Sequence, residues 1–136
     1  MRQIQDKIFL DTNVLVYSTG EDSEKKRISI ELINKNFTIS TQVINEFINT
    51  RIRKFNDDKE AAFSLAYEFL VNSSLVIIKP EIYKFTEQIF FRYGYSFYDS
   101  LIISAALESE CTILYTEDLS HGQLIEKSLK IVNPFK

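Results

Sequence analysis

Residues 7–17, KIFLDTNVLVY, place a carboxylate and an amide inside a segment that is otherwise mostly apolar. The three apolar residues Ile8–Leu10 are typical of a short buried strand. Asp11 follows this strand directly, and Asn13 comes two positions later. Because ligands bind beyond the carboxyl ends of strands in open parallel sheets, Asp11 is a candidate functional residue at such an edge.

The composition is that of an ordinary globular protein. With 136 residues, of which 45% are hydrophobic and 26% charged, the chain is expected to form one domain spanning residues 1–136. No apolar run approaches the ~18 residues of a membrane span, and the run before Asp11 is too short for a signal peptide. Cys111 is the single cysteine, which is compatible with a reducing compartment. We therefore expect a soluble, cytoplasmic protein that does not insert into membranes.

The net charge of -3 bears on the class of partner. A module that binds nucleic acid only through its phosphates is usually basic, so the charge argues mildly against that class. It argues less against an enzyme that holds phosphates through metal ions, because such a site needs clustered carboxylates.

The pattern of apolar residues predicts strands and helices that mostly alternate. The predicted strands span residues 8–10, 37–40, 75–78, 111–115 and 129–132. The predicted helices span residues 24–34, 42–55, 59–72 and 81–93, and Asp57 or Asp58 would cap the third of them. A further apolar helix is predicted to begin at Ser96–Asp99, and a short helix is predicted near 122–128. Residues 24–34 fit either periodicity, and helix is preferred because parallel strands need a crossover connection. The prediction is an α/β fold with a central parallel β-sheet and helices on both faces.

Four carboxylates from separate parts of the chain are expected at one edge of this sheet. Asp11 and Asp118 each follow a predicted strand, while Glu46 and Asp99 lie near the start of predicted helices. The carboxyl ends of parallel strands and the first turns of the helices packed on them share one edge. Like charges held close together raise one another's pKa, and a cation relieves the repulsion. Oxygen ligands select Mg2+ or Mn2+, and a chain with one histidine and one cysteine supports a zinc site poorly.

Each acid also has a purely structural interpretation. Ser96 and Asp99 have the spacing of a helix capping box, and Asp118 could be a turn residue in TEDLSHG. Glu46 could be a solvated residue beside an apolar stripe. His121 is the only histidine, so no Ser-His-Asp or Cys-His set exists, and this residue is expected to order a loop. The combination of acids is more specific than any one of them.

Four motifs in order resemble those of the PIN-domain family. They are FLDTNVLVY after the first strand, TQVINEF on a helix, SFYDSLIISAA at the start of the apolar helix and LYTEDLSHGQ after the next strand. The resemblance extends to KIVNPF at the end of the chain, and its length is similar to that of VapC-type toxins. It implies a three-layer PIN-like fold.

The resemblance also implies that the protein is a metal-dependent endoribonuclease. Asp11, Glu46, Asp99 and Asp118 would hold one or two Mg2+ or Mn2+ ions, with Asn13, Thr116 and Glu117 as supporting residues. The sequence leaves open whether Glu117 or Asp118 is the fourth ligand, and the motif favours Asp118. A metal-activated water would hydrolyse RNA to leave a 5′-phosphate and a 3′-hydroxyl. Further implied partners are a cognate antitoxin and a second copy of the chain in a homodimer.

Contacts with RNA must come from residues outside the acids, which repel phosphate. The candidates are Arg51, Arg53, Lys54 and Arg92. Single-stranded RNA is bound by such cations together with aromatic stacking. Taken singly, each basic group fits a solvated face better than a contact with RNA.

Two other functions fit part of the pattern. A haloacid dehalogenase-like phosphohydrolase also begins with an aspartate after a strand, but its motif is D-x-D, and Asn13 stands at the third position here. A PIN-like module that binds RNA or a partner without cutting is the other alternative. The presence of all four acids favours the enzyme.

Overall fold

A computed structural model describes residues 5–55 and 58–136 of the chain. Within these residues, six strands form one sheet in the order β3-β2-β1-β4-β6-β5. The strands are β1 (Ile8–Leu10), β2 (Phe37–Ser40), β3 (Ser74–Val76), β4 (Ile113–Tyr115), β5 (Leu124–Ile125) and β6 (Leu129–Val132). The helices are α1 (Thr12–Ser18), α2 (Ser23–Ile33), α3 (Thr41–Lys54), α4 (Lys59–Asn72), α5 (Glu81–Tyr93) and α6 (Phe97–Glu108).

The sheet is parallel except at one edge, as the alternation of elements predicts. The central strand β1 pairs in parallel with β2 and β4, so that Ile8 lies opposite both Phe37 and Ile113. Helices α5 and α6 pack on each other, while α1 packs on α2 and α3, and α3 packs on α4. The predicted α/β fold, with helices on both faces of a central sheet, is confirmed.

The core explains why the central elements are so apolar. All three residues of β1 are buried, as are Ile39 of β2 and Leu114 of β4. In α6 every residue from Ser100 to Ala106 is buried. A strand or helix that is covered on all sides has no solvent face to carry charged residues, so its sequence consists mostly of apolar and small residues. A polar residue at the end of such an element is therefore held in place by the packed core.

The prediction of a helix near residues 122–128 is wrong. The segment forms β5, which pairs antiparallel with β6 through a tight turn. Glu126 and Lys127 in this turn have φ values of 49° and 61°, the conformation that a type I′ hairpin turn requires. A helix of this length is marginal in water, whereas the hairpin buries Ile125 and pairs its backbone groups. Arg92 and Tyr93 hold Glu126 through hydrogen bonds to its carboxylate.

Other boundaries differ by a few residues for local reasons. The predicted strand 75–78 is β3 (Ser74–Val76), because the backbone N–H of Ile78 donates to the Thr41 hydroxyl instead of continuing the ladder. The strand predicted at 111–115 begins only at Ile113. Asp58 caps α4 by accepting from the backbone N–H of Glu60, and Asp57 lies outside the described residues.

Helix α1, which the sequence pattern did not predict, begins immediately after Asp11. The Asp11 side chain caps it by accepting from the backbone N–H of Thr12. The chain thus turns sharply from strand into helix at the residue that opens the first motif. In the described part of the chain, no helix is long and apolar enough to cross a membrane.

Candidate active site

Asp11 is fixed at the carboxyl end of β1 by contacts to the neighbouring strand. Its backbone N–H donates to the carbonyl oxygen of Tyr115 at 3.0 Å. One carboxylate oxygen accepts from the backbone N–H of Thr12 at 2.7 Å, and the other accepts from the Thr116 hydroxyl at 2.8 Å. The residue is only 5% exposed. Strands β1 and β4 therefore position this carboxylate before any ligand is present.

Burial makes the Asp11 carboxylate unusually basic. Desolvation raises its pKa from the usual 3.8 to about 7, against the opposing effect of the hydrogen bonds from Thr116 and Thr12. The negative charges of Glu46 and Asp118 contribute a smaller part of this rise. Near neutral pH, Asp11 without a neighbouring cation would therefore be only partly ionised.

Glu46 comes to the site from the second turn of α3. Ser40 starts this helix by accepting from the backbone N–H of Val43 at 3.3 Å. One oxygen of Glu46 accepts from the Thr12 hydroxyl at 2.8 Å, and the other accepts from the Gln42 side-chain amide at 2.7 Å. The threonine next to Asp11 thus links the first two acids across 34 residues of sequence.

Asp118 is joined to the first motif through Asn13 and Thr116. The Asn13 amide donates to Asp118 Oδ2 at 3.1 Å and to the Thr116 hydroxyl oxygen at 3.3 Å. The backbone N–H of Asp118 donates to the same hydroxyl oxygen at 3.1 Å. The Thr116 hydroxyl, which donates to Asp11, therefore connects three motif residues.

Glu117 is directed to a different set of groups from Asp118. Its carboxylate accepts from the Tyr17 hydroxyl at 2.6 Å and from the Lys25 ammonium group at 3.2 Å. The Lys25 ammonium group balances the charge of Glu117, and both partners hold it on the side of α1 and α2. Asp118, in contrast, is close enough to Asp11 and Asp99 to raise the pKa of both. The geometry favours Asp118 as the acid that completes the group.

Asp99 lies in the first turn of α6 at the same edge of the sheet. Its backbone N–H donates to the Ser96 hydroxyl at 3.2 Å, so Ser96 caps the helix. Partial burial raises the pKa of Asp99, and the charges of Asp118 and Glu46 add to this rise, although a hydrogen bond with Ser96 opposes it. The capping interpretation and the functional one are thus compatible at this residue.

The four acids suit a divalent cation in chemistry and charge. All their donors are oxygen atoms, and a hard cation would offset both the desolvation and the smaller like-charge repulsion that raise the pKa of Asp11 and Asp99. Across residues 5–55 and 58–136, no three His, Cys, Asp or Glu side chains already stand in an arrangement that could hold a metal ion. The Gln42 and Asn13 amides each donate to one oxygen of Glu46 and Asp118, so binding an ion would call for a rearrangement of side chains around these acids.

Two of the four basic residues predicted to contact RNA are engaged with protein groups. Arg51 is 8% exposed, and its guanidinium donates to the carbonyl oxygen of Thr19 at 3.3 Å. Arg92 forms an ion pair with Glu126 at 2.5 Å on the hairpin. Arg53 and Lys54, at the end of α3, are exposed.

A cleft of about 460 Å³ extends from the acids along the groove between α1 and α3. Glu46 and Asp118 line one part of it, and Lys54 and Phe55 line another. Asn49 and Thr50 also line the cleft, and sequence reasoning missed these two residues and Phe55. Their spacing of three and four residues from Glu46, which places them on the same helix face, was the available signal.

Comparison with known proteins identifies the family. The family model for the PIN domain matches residues 8–125. A search of curated protein sequences finds no match. Among solved structures, similar folds occur in a toxin–antitoxin complex from Klebsiella pneumoniae (TM-score 0.70, 18% identity, 94% of this chain and 98% of that chain covered). A similar fold occurs in the sarcin-ricin loop cleaving toxin VapC20 of Mycobacterium tuberculosis, with a TM-score of 0.66, 18% identity, and 82% of this chain and 90% of that chain covered. Another occurs in VapBC2 of Rickettsia felis bound to a promoter DNA fragment, with a TM-score of 0.65, 21% identity, and 91% of this chain and 96% of that chain covered.

The shared fold and the family match agree with the geometry of the site. At such low identities the solved structures establish a common fold with toxins of this architecture. The family model covers the motifs of Asp11, Glu46, Asp99 and Asp118 in a single match. The chain belongs to the PIN domain family.

Proposed function

We propose that the protein is a metal-dependent endoribonuclease that hydrolyses phosphodiester bonds of RNA. The observation that carries the proposal is the buried Asp11, whose pKa is about 7 because desolvation and the charges of Glu46 and Asp118 oppose its ionisation. Holding four acids from separate elements close together costs free energy, because like charges repel one another unless a counter-ion is present. A site of this kind is explained by the binding of a divalent cation.

The acids Asp11, Glu46, Asp99 and Asp118 would hold one or two Mg2+ or Mn2+ ions. When bound, such an ion stabilises negative charge on phosphate oxygens and lowers the pKa of water. The remaining groups orient the acids, because Thr116 donates to Asp11 and Thr12 donates to Glu46. Asp99, which is partly exposed and has a raised pKa, is the candidate to accept a proton from the attacking water. The products would carry a 5′-phosphate and a 3′-hydroxyl.

Removing divalent cations is expected to stop cleavage of a labelled single-stranded RNA. Excess EDTA should reduce the rate to that of the buffer alone, and adding Mg2+ or Mn2+ beyond the chelator should restore it. The physical reason is that the acids alone repel the phosphate and provide no cation to neutralise it. Full activity in the presence of EDTA would contradict the metal-dependent mechanism and indicate chemistry without a cation.

The same assay separates the enzyme from a PIN-like module that only binds RNA or a partner. A binding module would leave the RNA intact at every Mg2+ and Mn2+ concentration, although it could still retain RNA in a filter-binding experiment. The family match argues against the haloacid dehalogenase-like alternative. Retention of all four acids in one electrostatically coupled group supports the enzyme.

We also propose that the protein is the toxin of a toxin–antitoxin pair, with a protein antitoxin as its partner. Support comes from the folds it resembles, which include a toxin–antitoxin complex and VapBC2. Induced expression of the wild-type chain in a bacterial host is expected to arrest growth, whereas the Asp11→Asn variant at the same protein level should not. Equal growth of the two cultures would contradict the toxin role and leave the in vitro nuclease assay as a separate test.

A further inference from the structure

Helix α3 presents a graded series of side chains from the acids to its own carboxyl end. Glu46 is one of the four acids, and Asn49 and Thr50 follow it at helical spacing. Lys54 lies near the end of the same cleft. At a rise of 1.5 Å per residue, the backbone positions of Glu46 and Lys54 are separated by about 12 Å. This helix face therefore runs from the proposed cleavage site, past the neutral hydrogen-bonding groups of Asn49 and Thr50, to the positively charged side chain of Lys54.

Phe55, the residue that caps the carboxyl end of α3, places an aromatic ring beside these side chains. Phe55 is 39% exposed and lines the cleft, although a phenylalanine of this size is normally buried where it can be. The guanidinium of Arg51 lies 4.2 Å from the ring centroid, and that guanidinium is itself held by Thr19. Arg51 thus covers and fixes one side of the ring, and the exposed part of the ring faces the cleft.

The Tyr17 side chain, on the opposite wall of the cleft, already has partners. Tyr17 of α1 donates its hydroxyl to Glu117, and the Lys25 ammonium group lies 4.4 Å from its ring centroid. The Tyr17 ring also packs edge-on against Phe135, with centroids 5.1 Å apart. A flat ligand that enters the cleft would therefore stack on Phe55 rather than on Tyr17.

We propose that this cleft receives one nucleotide of single-stranded RNA next to the cut, an inference that rests on the proposed nuclease function. The base stacks on Phe55, Asn49 and Thr50 read its edge, and Lys54 contacts a phosphate. The arrangement of charges along the cleft favours this ligand. A nucleotide strand would place one phosphate at the metal ion held by the acids and another at Lys54. Amide and hydroxyl groups supply the donors and acceptors that base edges require. The cleft volume of about 460 Å³ is in the range of small-ligand sites.

The first test measures binding without cleavage. In an Asp99→Asn background, a fluorescein-labelled single-stranded RNA of eight random nucleotides is titrated with protein in Mg2+ buffer, and anisotropy gives Kd. Loss of one stacked base predicts about 5- to 150-fold weaker binding for Phe55→Ala and Phe55→Leu, and near wild-type binding for Phe55→Trp. Leucine keeps an apolar group against Arg51 but offers no ring. Phe91→Ala, which removes a 77% exposed ring from α5, is the matched control and should leave Kd unchanged.

The second test reads specificity in the otherwise wild-type enzyme. A random RNA pool is cleaved, and the nucleotides flanking the new ends are sequenced. Asn49→Ala is expected to relax the preference at one position next to the cut, whereas Gln88→Ala, an exposed amide on α5, should leave the profile unchanged.

The outcomes separate this inference from the proposed function. If the wild-type enzyme cuts no RNA, the nuclease proposal fails. If it cuts RNA but Phe55→Leu binds as tightly as the Phe91→Ala control, the stacking site is overturned while the nuclease stands. An unchanged cleavage profile for Asn49→Ala would overturn its role in reading the base.

Discussion

Replacing Asp11 or Asp99 with asparagine is expected to abolish RNA cleavage, with a loss on the order of a thousandfold or more. Each substitution removes one negative charge from the group that would hold the cation, and asparagine has nearly the same size as aspartate. Single-turnover rates on a labelled single-stranded RNA at saturating Mg2+ measure the effect. Circular dichroism and thermal unfolding of the same samples show whether the fold is retained.

Asp22→Asn is the matched control for these variants. Asp22 caps α2 by accepting from the backbone N–H of Lys25 at 3.1 Å, and asparagine caps helices about as well as aspartate. This variant loses the same formal charge at a position outside the cleft, so its cleavage rate should match that of the wild type. Wild-type cleavage by Asp11→Asn or Asp99→Asn would refute the assignment of the acids.

The metal-free protein is expected to lose stability as the pH rises from about 4 to about 7. Asp11 has a pKa of about 7 in the folded protein, against an ordinary value of 3.8. Between these values the folded state keeps the proton and the unfolded state has released it, so the free energy of unfolding falls with pH. At 1.36 kcal/mol per pKa unit, the loss approaches about 4 kcal/mol above pH 7. The raised pKa of Asp99 acts in the same direction.

Asp11→Asn should remove most of this pH dependence and stabilise the metal-free protein above pH 7. Asparagine cannot satisfy both Thr12 and Thr116 as the carboxylate does, and a lost hydrogen bond costs about 1 kcal/mol. The expected net gain is therefore about 3 kcal/mol. Urea unfolding at pH 5 and pH 8 in EDTA measures it, with Asp22→Asn as the control.

Addition of Mg2+ is expected to reverse the order of stability of wild type and Asp11→Asn in the same experiment. At pH 8 the cation should stabilise the wild type, because it binds the folded state, and it should have little effect on Asp11→Asn. A wild-type stability that does not change between pH 5 and pH 8 in EDTA would contradict the raised pKa. A wild type that gains nothing from Mg2+ or Mn2+ would contradict the metal site.

Much of the fold could be predicted because its central elements are covered on both sides. The apolar run of β1 and the mostly apolar sequence of α6 have no other good explanation in a domain of this size. The hairpin β5–β6 could not be predicted in the same way. Its turn relies on Glu126 and Lys127 in the left-handed region, where glycine or asparagine would give a clear sequence signal.

The sequence predicted which acids share an edge but not how their side chains point. Glu117 and Asp118 are adjacent, and only the positions of Tyr17 and Lys25 show that Glu117 has partners of its own. Arg51 illustrates the same limit, because its charge suggested a surface role. The structure instead places it beneath the ring of Phe55. Such pairings depend on contacts between elements that periodicity does not encode.

The hydroxyl of Thr116 joins groups that are separated by 105 residues of sequence, since it donates to Asp11. During synthesis, which proceeds from the amino end at a limited rate, the first strand must wait for β4 before this junction can form. A nascent chain on the ribosome therefore lacks the assembled acids until residues up to Asp118 have emerged. The order of the motifs along the polypeptide therefore delays assembly of the four acids until the last motif has left the ribosome.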